Sequence, residues 1–272
     1  MAQGSGDNLD ESGGVSPRPG FGRELGVAVR RARRSVLDLF LPPVCLGCDQ
    51  RLTEHDALCP TCWRKIDFIR QPLCDRLGAP LPYDTGGVML SAAAMANPPD
   101  YGRARAVACF DGLMRDLIHA LKFSDTHDAR RLFGRWLANA GEDLLRDADI
   151  LVPVPLAWSR LLSRRYNQAQ ILAQATGEIC GLPVVSQALI RKRRTGAQVG
   201  LTRAARRRNV SGAFAVPPSA CHVIAGKAIV LVDDVITTGA TASAAARALR
   251  RAGARSVDVL ALAIVTEHGH IA

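Results

Sequence analysis

The sequence predicts an α/β fold, a doubly wound and mostly parallel sheet that follows a small cysteine-rich module. Short apolar runs with the composition of buried strands alternate with helical segments between residues 103 and 265, which is typical of a parallel sheet covered by helices on both faces. Two Cys-x2-Cys pairs stand before this region. With 272 residues and 48% hydrophobic composition, the chain can bury one full core and a small accessory module.

The elements of the main domain, placed at 83–267, follow from hydrophobic runs and from the residues that break them. The predicted strands are 103–110, 150–155, 183–185, 229–233 and 257–265, and the predicted helices are 113–123, 128–139, 166–181 and 240–252. Pro98 and Pro99 break the chain before the first strand, and Gly253 ends the last helix. No internal repeat of solenoid or propeller length is found.

The first 41 residues divide into two predicted segments. Residues 1–22 are rich in Gly, Ser, Pro and acids, which predicts a disordered tail. Residues 23–41 carry apolar side chains at helical spacing with arginines opposite, which predicts a basic amphipathic helix that covers a core, a partner protein, a membrane or nucleic acid. The sequence shows no secretory signal and no apolar run of about 18 residues, so we expect a cytoplasmic protein without a transmembrane segment.

Residues 42–82 are predicted to form a zinc-ribbon module. Cys45 and Cys48 form one Cys-x2-Cys pair, and Cys59 and Cys62 form the next. Each pair has the spacing of a zinc knuckle, and two knuckles together supply the four thiolates of a tetrahedral structural site. Disulfides are the alternative, but the reducing compartment expected for a chain without an export signal favours Zn²⁺.

The strongest functional pattern is the run AIVLVDDVITTGAT at residues 228–241. Residues 229–232 have the composition of a buried strand, and Asp233 and Asp234 follow directly. Two adjacent acids cannot both sit in a core without a large desolvation cost. We therefore expect them to emerge at the carboxyl end of the strand, where open α/β sheets bind their ligands.

The turn after the acids is expected to hold a phosphate group. It consists of Thr237, Thr238, Gly239, Ala240 and Thr241 and leads into a predicted helix. Unpaired N–H groups in the first turn of a helix attract an anion, threonine hydroxyls add donors, and glycine permits a close approach. Ribose hydroxyls would then meet the two carboxylates directly or through Mg²⁺-bound water. The alternative is a plain strand-to-helix turn beside two solvated acids.

Two further segments carry positive charge, in keeping with the formal net charge of +10. The strand at 150–155 runs into Arg160, Arg164 and Arg165, which are expected to face a pyrophosphate group, because guanidinium groups bind phosphate oxygens in pairs. A basic helix entry facing solvent is the alternative. Residues 191–209 hold eight Arg or Lys residues. A lid over an anion, a nucleic-acid-binding loop and a solvated connection all fit this segment.

Together these motifs resemble the ComF family of bacterial proteins, which are phosphoribosyltransferase-like and linked to competence for DNA uptake. The likeness runs from about residue 40 to residue 265. It is carried by the two Cys-x2-Cys pairs, LIHALKF at 117–123, VPVP at 152–155, RYNQA at 165–169, QVGLTR at 198–203, RNVSGAF at 208–214 and the run at 228–241. Leu77 stands where many relatives have another cysteine, which argues against a second zinc site.

The resemblance implies a type I phosphoribosyltransferase-like domain with a 5-phosphoribosyl 1-pyrophosphate (PRPP) signature at 228–241. By this resemblance, Asp233 and Asp234 are expected to bind the ribose and residues 237–241 the 5′-phosphate, and Mg²⁺ is expected to accompany PRPP. The implied activity is transfer of the 5-phosphoribosyl group with release of pyrophosphate. The alternative is a non-enzymatic or PRPP-regulated factor of DNA uptake, with single-stranded DNA or competence proteins as partners. Aromatic residues make up only 5% of the chain, which weighs against a stacking surface for single strands.

Overall fold

The computed structural model describes residues 42–84, 86–123, 128–156, 166–192 and 208–266. The chain divides into two compact units, Met1–Pro42 and Pro43–Ala272, and the described residues from Pro43 onward belong to the second. The tail predicted at 1–22 and the amphipathic helix predicted at 23–41 lie outside the described residues.

The core of the second unit is a parallel sheet. The strands are β1 Ala104–Cys109, β2 Ile150–Pro153, β3 Ile190–Arg191, β4 Phe214–Ala215, β5 Ala228–Ile236 and β6 Ser256–Ile264. Four of them form the sheet, in the order β1-β6-β5-β2 with every neighbour parallel. The short strands β3 and β4 form a separate antiparallel pair. The predicted α/β class is confirmed.

Single bridges extend the sheet at both edges. Val184 pairs in parallel with Leu151, so the strand predicted at 183–185 is present as one bridge. At the other edge Phe68 pairs antiparallel with Ala108, and the N–H of Ile69 donates to the carbonyl of Val107 at 3.0 Å. Residues 68–69 of the cysteine-rich module therefore lie along the edge of the sheet.

The four longest of the described helices match the predicted segments to within a few residues, and the four described helices of four or five residues were not predicted. They are α1 Pro60–Trp63, α2 Ala92–Ala96, α3 Gly112–Phe123, α4 Asp128–Ala140, α5 Glu142–Arg146, α6 Gln168–Cys180, α7 Cys221–Ile224 and α8 Ala240–Arg251. In the part of the chain that the structure describes, none of the helices has the length and apolar character needed to cross a membrane.

Both faces of the sheet are buried. Successive strand residues point to opposite faces, and each face of β5 packs into a different hydrophobic cluster. Ile229 and Leu231 belong to a hydrophobic cluster that contains the alanines of α8. Val230 and Val232 belong to a second cluster with α3, α4 and α6. All four side chains are at most 1% exposed, which explains why β5 is a continuous apolar run rather than an alternating one.

Candidate functional site

The paired acids lie inside the central strand β5. The prediction that the strand ends at the first acid was wrong, since β5 continues to Ile236 and pairs with β6 up to Ile264. On the other side, β2 pairs with β5 only as far as Val232, whose carbonyl accepts the N–H of Val154 at 2.9 Å. Asp233 and Asp234 thus follow the point where β2 leaves the ladder, at the carboxyl end of the parallel strands.

Both acids are partly exposed, and their backbone is locally fixed. The N–H of Asp234 donates to Oδ1 of Asp233 at 2.9 Å, which orients the Asp233 carboxylate against the strand. A half-exposed pair of carboxylates beside the point where β2 leaves the ladder can accept hydrogen bonds from ligand hydroxyls or from water bound to a hard cation. This is the position where open α/β sheets bind ligands.

The turn that follows presents a helix N-terminus next to the acids. Gly239 is the N-cap of α8, with φ of 70° in the left-handed region, and it offers no side-chain cap. Thr237 is exposed, while Thr238 and Thr241 are half-buried. The first turn of α8 therefore has backbone N–H groups that glycine cannot cap, at the positive end of the helix dipole. Such an end favours an anion.

The side chain of Tyr101 packs against this turn. No local pattern in the sequence indicated this contact. Its side chain is 1% exposed, and a Cβ added to Gly239 would stand 3.0 Å from its Oη. Asp100 next to it forms an ion pair with Arg247 of α8, and its N–H donates to Oγ of Ser243 at 3.3 Å. Glycine at 239 is thus required by both its φ angle and the close contact with Tyr101.

The four predicted zinc ligands are brought together. The sulfur atoms of Cys45, Cys48, Cys59 and Cys62 all lie within 4.8 Å of one another, and three of these cysteines are buried. The Cys48 and Cys59 sulfurs are 3.7 Å apart. Four sulfurs at 2.3 Å from one tetrahedral ion would be about 3.8 Å apart, so this donor set fits zinc.

Hydrogen bonds and burial act in opposite directions on the pKa values of these thiols. Burial raises the pKa of the Cys45 thiol, but hydrogen bonds from the N–H groups of Cys59 (3.2 Å) and Gly47 (3.4 Å), together with those from the Cys48 and Cys59 side chains, outweigh burial and bring the pKa down to about 6. Burial raises the pKa of Cys62 to about 12, and the neighbouring sulfurs add to this effect. Four clustered thiols cannot all ionise without a compensating charge, which a zinc ion supplies.

Comparison with known proteins supports the same two parts. A family model described as a double zinc ribbon domain matches residues 36–94, and one described as a phosphoribosyl transferase domain matches residues 161–270. The DNA utilization protein YhgH of Salmonella typhimurium is 32% identical over 233 residues, which cover 82% of this chain and 98% of that protein. The chain belongs to the ComF family.

Two further relatives of this ComF-family chain are informative. Competence protein F of Haemophilus influenzae is 28% identical over 225 residues, covering 80% of this chain and 96% of that protein. The adenine phosphoribosyltransferase of Streptomyces galbus is 31% identical over 138 residues, covering 47% of this chain and 74% of that protein. With the parallel sheet and the cysteine cluster, these matches establish a type I phosphoribosyltransferase-like fold with an N-terminal zinc ribbon.

The predicted pyrophosphate-binding arginines, Arg160, Arg164 and Arg165, lie outside the described residues. The described ends of their segment are held together at the carboxyl end of β2. Nδ2 of Asn167 donates to the carbonyl of Val154 at 3.1 Å, and its Oδ1 accepts the N–H of Ala169 at 3.2 Å. Asn167 therefore joins the two ends of the segment at 157–165 and caps α6.

The predicted lid at 191–209 also lies mostly outside the described residues, which resume at Arg208. Its two ends are joined by the antiparallel pair β3 and β4, in which Arg191 stands opposite Phe214. The Arg191 guanidinium lies 5.3 Å from the centroid of the Phe214 ring, and the N–H of Lys192 donates to Ala213 at 2.8 Å. The basic segment is thus carried on a short two-stranded stem.

Proposed function

We propose that this ComF-family protein binds PRPP and transfers its 5-phosphoribosyl group to a nitrogen acceptor. The observation that carries the proposal is the N-terminus of α8, which has no side-chain cap at Gly239 and follows, after residues 235–239, two half-exposed carboxylates near the carboxyl end of the central parallel strand. The similarity to an adenine phosphoribosyltransferase supports a phosphoribosyl ligand for this position.

Each described group has a distinct role in the proposed site. The N–H groups of the first turn of α8 and the hydroxyls of Thr237, Thr238 and Thr241 bind the 5′-phosphate, and the backbone of Gly239 and Ala240 approaches it closely. Asp233 and Asp234 accept hydrogen bonds from the vicinal ribose hydroxyls. Mg²⁺, when bound with PRPP, offsets the charge of its pyrophosphate group. We assign Arg160, Arg164 and Arg165 to the same pyrophosphate group.

In the proposed reaction, the bond between the anomeric carbon and the pyrophosphate oxygen breaks as a bond to the acceptor nitrogen forms. The electron pair leaves with pyrophosphate, and the acceptor nitrogen loses its proton. Positive charge develops on the ribose ring in between, and the nearby carboxylates of Asp233 and Asp234 stabilise it. The contribution of the protein is to fix the sugar by its phosphate and its hydroxyls and to stabilise the leaving group.

Pyrophosphate release tests catalysis. With Mg²⁺ and PRPP present, a panel of nitrogenous bases and amines is screened for release, and Asp233→Asn and Asp234→Asn are each expected to reduce the rate by about 100-fold, because each removes charge stabilisation of the reacting sugar. Asp116→Asn, an exposed acid on α3, is the matched control and is expected to keep the rate. Release that continues unchanged in both variants would contradict the assignment.

The names of the relatives, DNA utilization protein and competence protein, favour a second candidate function, the handling of single-stranded DNA with PRPP as a regulator. The basic segment at 191–209 would then bind the phosphate backbone. Replacing Arg206, Arg207 and Arg208 by alanine would reduce the slope of log affinity against log salt concentration by about 2, since three cations are lost. PRPP binding without pyrophosphate release, together with this salt dependence, would favour the second candidate.

A further inference from the structure

The first half of the zinc ribbon has a distinctive backbone pattern around its ligand pair. Val44 and Arg51 form an antiparallel bridge, and the N–H of Cys45 donates to Gln50 at 2.8 Å. The N–H of Asp49 donates to the carbonyl of Cys45 at 2.9 Å, and Asp49 has a positive φ of 58°. This tight turn is the knuckle that places two thiolates on one ion.

The same pattern recurs 29 residues later, where position 74 matches 45 and position 78 matches 49. Leu73 and Pro80 form the antiparallel bridge, and the N–H of Cys74 donates to Ala79 at 2.8 Å. The N–H of Gly78 donates to the carbonyl of Cys74 at 2.7 Å, and Gly78 has a φ of 72°. The chain therefore makes a second knuckle.

The second ligand pair of the first half also has a counterpart, 32 residues later. Cys59 precedes helix α1, its N–H donates to the Cys45 sulfur at 3.2 Å, and its side chain accepts the N–H of Cys62. Ser91 precedes helix α2, its N–H donates to the Cys74 sulfur at 3.2 Å, and its side chain accepts the N–H of Ala94. The turn and the short helix of the first half are thus each repeated once in the second half.

Matching the two halves residue by residue identifies four equivalent positions. The ligands Cys45, Cys48, Cys59 and Cys62 correspond to Cys74, Leu77, Ser91 and Ala94. One thiol remains at these positions, beside an aliphatic side chain, a hydroxyl and a methyl group. One thiol and one hydroxyl do not make a tetrahedral zinc site.

We propose that the second half of the ribbon is a zinc-free copy of the first, with Cys74, Leu77, Ser91 and Ala94 at its four ligand positions. This ComF-family chain then holds one zinc ion, although the family model that matches residues 36–94 is described as a double zinc ribbon. The backbone of the copy retains the ribbon geometry, so restoring thiolates at these positions creates a second metal site.

Contacts with the main domain replace the metal in the second half. Arg105 of β1 is 7% exposed and donates to the Asp75 carboxylate at 2.5 Å and to the Asp75 carbonyl at 2.9 Å. A Cβ on Gly78 would stand 2.7 Å from the carbonyl oxygen of Ala104, so the second knuckle packs directly on β1. Cys74 and Ala94, at 0% and 2% exposure, are buried without a metal ion.

Metal content of the full-length chain tests the proposal. Wild-type protein is expected to contain one zinc per chain, and the triple variant Leu77→Cys, Ser91→Cys, Ala94→Cys is expected to contain two. A matched control places three cysteines at exposed positions of the same half, Val88, Leu90 and Met95, and is expected to contain one. Two zinc ions in the wild type, or one in a folded triple variant, would overturn the proposal.

Two further variants keep the test decisive if the triple variant does not fold. The double variant Leu77→Cys, Ser91→Cys leaves buried Ala94 intact and presents three thiolates, which bind Co²⁺ added in excess with a water as fourth ligand, although too weakly to retain a metal ion through purification. Its thiolate-to-Co²⁺ absorption is expected to rise above that of the wild type, and no rise in the folded variant would count against the retained geometry. Cys74→Ser is expected to keep one zinc, and loss of that zinc would also overturn the proposal.

Discussion

Replacing Cys59 by serine is expected to remove the zinc and unfold the first half of the ribbon. Among the residues that the structure describes, the hydrophobic cluster there consists of Cys45, Cys59 and Cys62, with Leu52, Leu58 and Leu113 packed around them. A structural zinc in a small module contributes on the order of 10 kcal/mol of binding free energy, which is also folding free energy. So few apolar contacts cannot compensate for its loss.

The measurement combines metal analysis with limited proteolysis. Cys59→Ser is expected to contain no zinc and to be cleaved between residues 43 and 66, and chelation of the wild type should have the same effect. Cys221→Ser is the matched control, because Cys221 is an exposed cysteine outside the cluster. A Cys59→Ser protein that resists cleavage as the wild type does would show that the metal is not structural.

Trp136→Ala is expected to produce the largest loss of stability among single changes in the core of the main domain. Trp136 on α4 is 6% exposed, and its ring lies 5.3 Å from Phe68 and 5.7 Å from both Trp63 and Phe133. Trp63 and Phe68 come from the cysteine-rich module, so this cluster attaches that module to α4. Truncation of a buried tryptophan costs about 3–5 kcal/mol.

Thermal unfolding of the zinc-bound protein measures this effect. The expected fall in Tm for Trp136→Ala is on the order of 10 °C. Trp136→Phe retains an aromatic ring in the cluster and is expected to lose clearly less. A Tm for Trp136→Ala within about 2 °C of the wild type would show that the aromatic cluster does not hold the module.

The sequence predicted the four strands of the parallel sheet and the four longest helices because the sheet is buried on both faces, but it did not predict the short strands β3 and β4 or the short helices. Continuous apolar runs such as 229–232 can be recognised without knowledge of their neighbours. The end of β5 was misplaced because Asp233 and Asp234 look like the end of a strand. Pairing with β6 carries the strand through them to Ile236, and that pairing is a tertiary contact which no local pattern reports.

The candidate site was predicted from one contiguous run of residues. The contact that Tyr101 makes with the turn was not predicted. Gly239 and the threonines follow the acids in sequence, so their proximity is a local property. Tyr101 comes from a distant segment and reaches the turn only through the fold. The sequence indicated a missing ligand only at Leu77. The equivalence of Ser91 and Ala94 to Cys59 and Cys62 was not visible there, because the repeat lies in backbone hydrogen bonds.

Thermal unfolding with and without PRPP and Mg²⁺ is the most direct test of a phosphoribosyl site at Asp233, Asp234 and the turn before α8. At about 100 times Kd, PRPP is expected to stabilise the wild type by about 2.7 kcal/mol. Asp233→Asn and Asp234→Asn are expected to lose most of this gain, while Asp116→Asn keeps it. No stabilisation of the wild type, or the full gain in both variants, would contradict the assignment of the site.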